Sequence, residues 1–419
     1  QEWKLEAIYL WSCEAGLNTE LTTTLKECTG ADIYSSRARI NREQPNISSE
    51  KEKTASLEAL IGREQLQRWS SSLIFTDLVK TNSYARQVAP LSDGRYVYVA
   101  DDSGGVQIVD LQTSPDPTIV GNHPIEIWSD SAWDVVTNST HAFVAYDNLF
   151  GASRIQVLDI SNPVSPTLLD SITLPGSGLR TAWKLTLIDN TLYVSDNTAG
   201  IHIVDIADPN DISVSETFGS GANFYDVAIA GNYTFSATSL GLKVYDASRS
   251  NIANASLSGN GQARHITLSA DGQTAFIANL NGGLDIFDIS NPSNPQSLDN
   301  YSTSGSTNEV VLSNDESRVY LADNTNGLVI LDVTNTSDIQ LVETHATSAI
   351  AVGVALSADN SSVFVVSSQE YPSAGNQNNH GLQLGIFNGI TIAQTGTTNG
   401  ADLLTTEAGG TSTFTVVLN

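Results

Sequence analysis

A ten-residue stretch, Gly283-Leu284-Asp285-Ile286-Phe287-Asp288-Ile289-Ser290-Asn291-Pro292, recurs along the chain, and such recurrence limits the possible folds more than any single motif does. Copies run through Gly105 to Asp110, Ile155 to Pro163, Gly200 to Pro209, Gly241 to Asp246 and Gly327 to Val333, with a degenerate copy at Gly381 to Asn388. The closing residues are Asp110, Asp159, Asp205, Asp246, Asp288, Asp332 and Asn388, separated by 49, 46, 41, 42, 44 and 56 residues.

Each copy sits third in a four-part unit. Around Asp288 the unit reads His265 to Leu268, a turn at Ala270-Asp271-Gly272, Thr274 to Ala278, a second turn through Gly283, the core motif, Pro292 and Pro295, and a polar segment from Gln296. Short runs of Val, Ile, Phe and Tyr between Gly, Asn and Asp turns are strands joined by tight hairpins. Four strands per ~40–50 residues is the spacing of propeller blades, and seven copies predict seven blades. The motif residues have structural roles: Gly supplies a positive backbone angle, the closing Asp accepts from the next turn, and Pro ends the ladder.

With Gly-x-x-x-x-Asp and Ile-Ser-Asn-Pro recurring in register, residues 73–388 resemble the LVIVD-repeat family. The resemblance implies a β-propeller of the kind found in bacterial and archaeal secreted and cell-surface proteins. It says little about activity, because propellers host many unrelated functions.

The flanks read differently. Residues 1–72 carry Trp3, Ala7, Leu10 and Trp11 at helical spacing, and Ser49-Glu50-Lys51-Glu52 has the form of a capping box, predicting a small, mostly helical cap or assembly segment. A secreted context favours a disulfide between Cys13 and Cys28, with two free thiols as the alternative. Leu73 to Val79 reads as a lone strand that closes the seventh blade, in competition with Ile390 to Ala393. A polar insertion, Ser367 to His380, accounts for the long last interval. Residues 389–419, with Thr406-Glu407-Ala408-Gly409-Gly410-Thr411 before an alternating strand, are similar to the start of a Calx-β domain, or act as a strand-exchange tail.

The chain has 419 residues and a formal charge of −27. Residues 1–72 hold 9 Lys or Arg against 11 Asp or Glu, leaving 10 against 35 for the remainder. Such a surface repels nucleic acid and anionic lipid, and no apolar run reaches the length of a membrane span. A start at Gln and the absence of Met read as a mature, secreted product.

No zinc motif, phosphate loop or nucleophile elbow is present, and the six histidines lack metal-ligand spacing, so no metal and no cofactor is expected. Acidic hairpin tips such as Asp101-Asp102 and Asp323-Asn324 leave weak Ca2+ binding open, with turn chemistry as the simpler reading. Aligning the units places Arg86, Trp133, Trp183, Tyr225, Arg264, Asn308 and Val352 at one rung of the innermost strands. Gln87, Asp134, Lys184, Asp226, His265, Glu309 and Gly353 occupy the next. At a channel mouth these residues suit a glycan or a peptide, or they cover the entrance. The expected role is non-catalytic: an extracellular or cell-surface structural or adhesion protein that contacts protein partners or self-assembles into a larger filamentous or matrix assembly. The alternatives are a carbohydrate- or peptide-binding module at the channel mouth and a propeller-type lactonase or lyase.

Overall fold

The computed structural model describes residues 7–10, 32–35, 73–75, 79–112, 117–148, 153–176, 182–360, 362–368, 381–387, 390–394 and 414–418. Seven antiparallel sheets follow one another from Leu73 to Phe387, which form one compact unit. These are the seven expected blades. Their innermost strands are Gln87–Pro90, Asp130–Thr137, Ala182–Ile188, Phe224–Ala230, Ala263–Leu268, Glu309–Leu312 and Ile350–Leu356. The repeat motif is the third strand of each blade, as in Arg154–Asp159 and Gly283–Asp288.

Burial explains why the motif is apolar without strict alternation. Second and third strands are covered on both sides by neighbouring blades: Val106–Asp110 is buried throughout, and in Gly283–Asp288 only the closing Asp is less than buried. One seam packs Tyr98, Ile108 and Leu158 together, and another packs Phe143, Ile155 and Val204. Outermost strands are mostly uncovered, Gln296–Tyr301 holding no buried residue, and a register shift against the third strand recurs there, as between Ile286 and Phe287. Such bulges blunt an exposed edge.

The closing aspartates act as expected. Asp159, Asp205, Asp246, Asp288 and Asp332 each accept the backbone N–H two residues on, at 2.7–3.0 Å, and Asp110 accepts that of Gln112 at 2.9 Å. The Ser161 N–H holds Asp159 below the ordinary carboxylate range, and the Ser248 hydroxyl with the Ser250 N–H does the same for Asp246. Gly283 has φ 90°, and a Cβ there would run into the Tyr301 carbonyl oxygen.

The seventh blade is Ile350–Leu356, Ser362–Ser368 and Gly381–Phe387, closed by the N-terminal strand Leu73–Phe75 with Leu73 opposite Phe387, and by Val79–Lys80. The competing strand, Ile390–Gln394, pairs instead with Phe414–Leu418.

The N-terminal segment requires a correction. Ala7–Leu10, expected on a helix, is a strand paired in parallel with Asp32–Ser35. Ile8 and Tyr9 are β-branched and aromatic, and their strand preference prevails over the helical spacing of Ala7 and Leu10. The capping box, the helix to Trp69, Cys13, Cys28, residues 369–380 of the insertion and the Thr406–Thr411 segment lie outside the described residues. Among the described residues, no helix is long and apolar enough to cross a membrane.

Candidate functional site

Both rungs face the central channel, and a backbone feature explains how adjacent residues do so. In a regular strand neighbours point to opposite faces. Here Ala132 pairs with Tyr146 and Asp134 with Ala145, which leaves Trp133 as an extra residue in a bulge. The same shift isolates Trp183 between Ala182 and Lys184, Tyr225 between Phe224 and Asp226, Arg264 between Ala263 and His265, and Val352 between Ala351 and Gly353. A bulge re-aims the side chain it carries.

The outer rung forms a stacked collar. The Arg86 guanidinium lies 4.3 Å from the Trp133 ring centre. Trp133 meets Trp183 edge to face at 5.3 Å, and Trp183 meets Tyr225 at 5.4 Å. Arg264 then sits 4.4 Å over Tyr225 and 5.0 Å over Trp183. T-shaped aromatic pairs and guanidinium stacking each contribute ~0.5–1.5 kcal/mol in such settings. The hairpin tip of the first blade braces the collar: Asp102 pairs with Arg86 at 2.8 Å and accepts from the Ser131 hydroxyl at 2.9 Å. The Tyr225 hydroxyl donates to Gln262 at 3.3 Å. Asn308 and Val352 complete the rung without joining the stack; the Asn308 amide donates to the Ala351 carbonyl.

The inner rung is a buried ionic cluster. Three carboxylates, from the second, fourth and sixth blades, each accept a backbone N–H from the innermost strand of the following blade: Asp134 from Leu185 at 2.6 Å, Asp226 from Ile266 at 2.9 Å and Glu309 from Val354 at 2.9 Å. Lys184 reaches across the ring to Glu309 and lies 3.8 Å from Asp134. Gln87 donates to Glu309 at 2.7 Å, and His265 Nε2 is 3.3 Å from Glu309 and 3.4 Å from Asp226. Gly353 adds no side chain, and Gln87 and Val366 crowd the space a Cβ would need.

Burial sets the protonation of this cluster. It raises Asp134 to about 6 and Asp226 to about 7, although Lys184 and backbone N–H groups pull both down. Burial also pulls on Lys184, but Asp134, Glu309 and Asp226 together outweigh it and hold the ammonium above the usual lysine range. Burial, with Lys184 beside it, keeps His265 well below the usual histidine value, so its ring is neutral.

Sequence alignment therefore brings together every predicted channel residue: Arg86, Trp133, Trp183, Tyr225 and Arg264 in the collar, and Asp134, Asp226, His265 and Glu309 in the cluster. It does not reveal Lys184 as the bridge across the ring, nor Asp102 and Gln262 as collar supports. The acidic tips are tied up locally: Asp101 accepts from the Ser83 N–H, Asp196 from Thr198 and Ala199, and Asp323 from Thr303 and Thr307. Among the described residues, no group of three or more His, Cys, Asp or Glu is arranged to hold a metal ion. In the channel, the Lys184 ammonium lies between Asp134 and Glu309.

A family model described as "LVIVD repeat" matches residues 84–123, 130–173, 179–218, 223–263, 260–303 and 304–347, together more than half of the chain. Similar solved structures include the β-propeller domain of Myceliophteria thermophila Cps50 (Swd1), with 13% identity, 75% of this chain and 99% of that chain covered, and TM-score 0.60. The RRP9 WD40 repeats give 11% identity, 76% and 98% coverage and TM-score 0.60; U3-55K gives 11%, 75% and 98%, and 0.59. At these identities the likeness concerns fold alone. No curated sequence matches the chain.

Proposed function

The chain belongs to the LVIVD-repeat family, and on that premise we propose that it is a non-catalytic protein-interaction module, secreted or held at the cell surface, that works within a larger assembly. The observation that carries this reading is the filled channel. Among the described residues of the channel, Asp134, Asp226 and Glu309 already serve as acceptors for backbone N–H groups, and Lys184 bridges the middle. Contacts then fall to the surface, where Trp128 is 79% exposed and Leu240 63% exposed. Both stand at the channel-mouth end, on the loop entering the second blade and on the tip between the second and third strands of the fourth. The test is light scattering coupled to gel filtration on natively purified protein. The expected result is a particle several times the 44.6 kDa chain; a monomer at every concentration would remove the assembly part.

A second reading has its own support in the collar. Aromatic faces and guanidinium donors gathered at one mouth suit a glycan or a peptide. Screening glycan and peptide arrays with wild type and the double variant Trp133→Ala/Trp183→Ala tests it: binding that the variant retains in full removes the collar from consideration. A lactonase- or lyase-type activity would have to use the same carboxylates, and turnover abolished by Glu309→Gln would restore that possibility.

A further inference from the structure

Charge within the channel is not balanced. Three carboxylates share one ammonium: Lys184 pairs with Glu309, lies 3.8 Å from Asp134 and acts on Asp226 at longer range. The other groups facing them are Gln87 and neutral His265 from the first and fifth blades, and the Thr186 hydroxyl from the third, 3.5 Å from Asp226 Oδ1. Two residues further along each innermost strand, the next positions are Ala89, Val136, Thr186, Ala228, Thr267, Val311 and Ala355, none of them charged. On the mouth side, Arg86 is held by Asp102, and Arg264 is stacked on Trp183 and Tyr225. Buried carboxylates left uncompensated are costly, and a proton is the smallest remedy. One acceptor is positioned for it. Asp134 Oδ2 takes the Leu185 N–H, whereas Asp134 Oδ1 is buried without a hydrogen bond.

We propose that this cluster is a proton-loaded clasp: on passing from neutral to mildly acidic surroundings the channel takes up a proton on Asp134 or Asp226, and the seven-bladed ring tightens. Both groups anchor a neighbouring blade through one carboxyl oxygen, so protonating the other oxygen keeps the anchor and removes the repulsion. The clasp also adjoins the collar, since Trp133, Trp183, Tyr225 and Arg264 each immediately precede a clasp residue on the same bulge. The proposal is independent of whether the collar binds anything.

The raised values of Asp134 and Asp226 set the sign of the clasp, which His265, held below its ordinary value by burial, partly opposes as pH falls. A carboxyl whose folded value exceeds its unfolded one contributes stability at low pH and loses it as pH rises through the folded value. Thermal unfolding of the whole chain, followed by circular dichroism at constant ionic strength, should therefore show Tm rising by several degrees from about pH 8 to about pH 5. Asp134→Asn/Asp226→Asn, which retains an acceptor oxygen at each site, should flatten this rise and lift Tm at the alkaline end. Each single Asn variant, measured alongside, should remove part of it. A wild type with no rise overturns the proposal, and so does a rise of undiminished size in the double variant. Repeating the alkaline measurement with sodium, potassium and a bulky organic cation identifies the competing case: a Tm that follows cation size, with no dependence on pH, would mean that a metal cation rather than a proton balances the channel.

Discussion

Glu309 illustrates how one side chain can hold a ring together. It is nearly buried, accepts from Gln87 and from the Val354 backbone, and pairs with Lys184, so three blades besides its own meet at one carboxylate. Truncating Glu309 strips the Gln87 amide and the Val354 N–H of their acceptor, at ~1–3 kcal/mol for each buried donor left unpaired, while Lys184 keeps Asp134. Glu309→Ala is therefore expected to lower the unfolding free energy by an amount of that order, read as a lower urea midpoint at an unchanged slope, while Glu309→Gln, which keeps an acceptor oxygen, should cost less. Equal losses in the two variants would mean that the ion pair with Lys184, not the hydrogen bonds, dominates. The sequence showed Glu309 at its rung because repeats put equivalent residues in register. It could not show that Lys184 crosses the channel to meet it, since that contact joins the third and sixth blades and depends on ring closure.

At the scale of elements, the repeat made the strands and their order readable before any coordinates. Gly-x-x-x-x-Asp fixes a third strand, and the turn chemistry on either side fixes its neighbours. Bulges were not readable: nothing in Ala132-Trp133-Asp134 distinguishes a bulge from regular alternation, and only the pairing of Tyr146 with Ala132 reveals it. The strand at Ala7–Leu10 is ambiguous in the sequence for a related reason: four residues with apolar positions three apart satisfy a helical face as well as a short strand. Closure by Leu73–Phe75 was legible because a ring with an unpaired third strand would expose an edge. In an antiparallel pair, alternate residues direct their N–H toward the partner, so one of Ile74→Pro and Phe75→Pro must remove a ladder bond to Gly381–Phe387 and the other need not. One variant is expected to unfold at lower temperature and aggregate through the opened edge, the other to behave closer to wild type. Two variants indistinguishable from wild type would show that Val79–Lys80 suffices to close the blade.

Among the described residues of the propeller, many acidic groups sort by end. Turns between first and second strands and between third and fourth strands lie at one end of the propeller; there Asp93, Asp189, Asp205, Asp211, Asp271 and Asp338 are exposed. At the channel-mouth end Asp101, Asp134, Asp196, Asp226, Glu309 and Asp323 are buried among donors, with Glu126 an exposed exception. The two ends therefore respond to different variables. Asp101, Asp134 and Asp226, which burial raises, respond to pH, because protonation relieves them and salt does not reach them. Exposed ones repel each other across water, over a Debye length of ~8–10 Å at physiological salt, and salt screens them. Tm at neutral pH should thus climb as salt is raised from low levels to about 0.5 M, by more than osmolyte-type stabilisation of an uncharged reference protein. Asp189→Asn/Asp211→Asn should capture part of that gain at low salt and show no advantage at high salt. Asn is a safe replacement at Asp189, whose φ of 50° suits it equally well. If the double variant kept the same advantage at both salt levels, its effect would come from turn conformation, and repulsion at that end would be too weak to shape the stability of the ring.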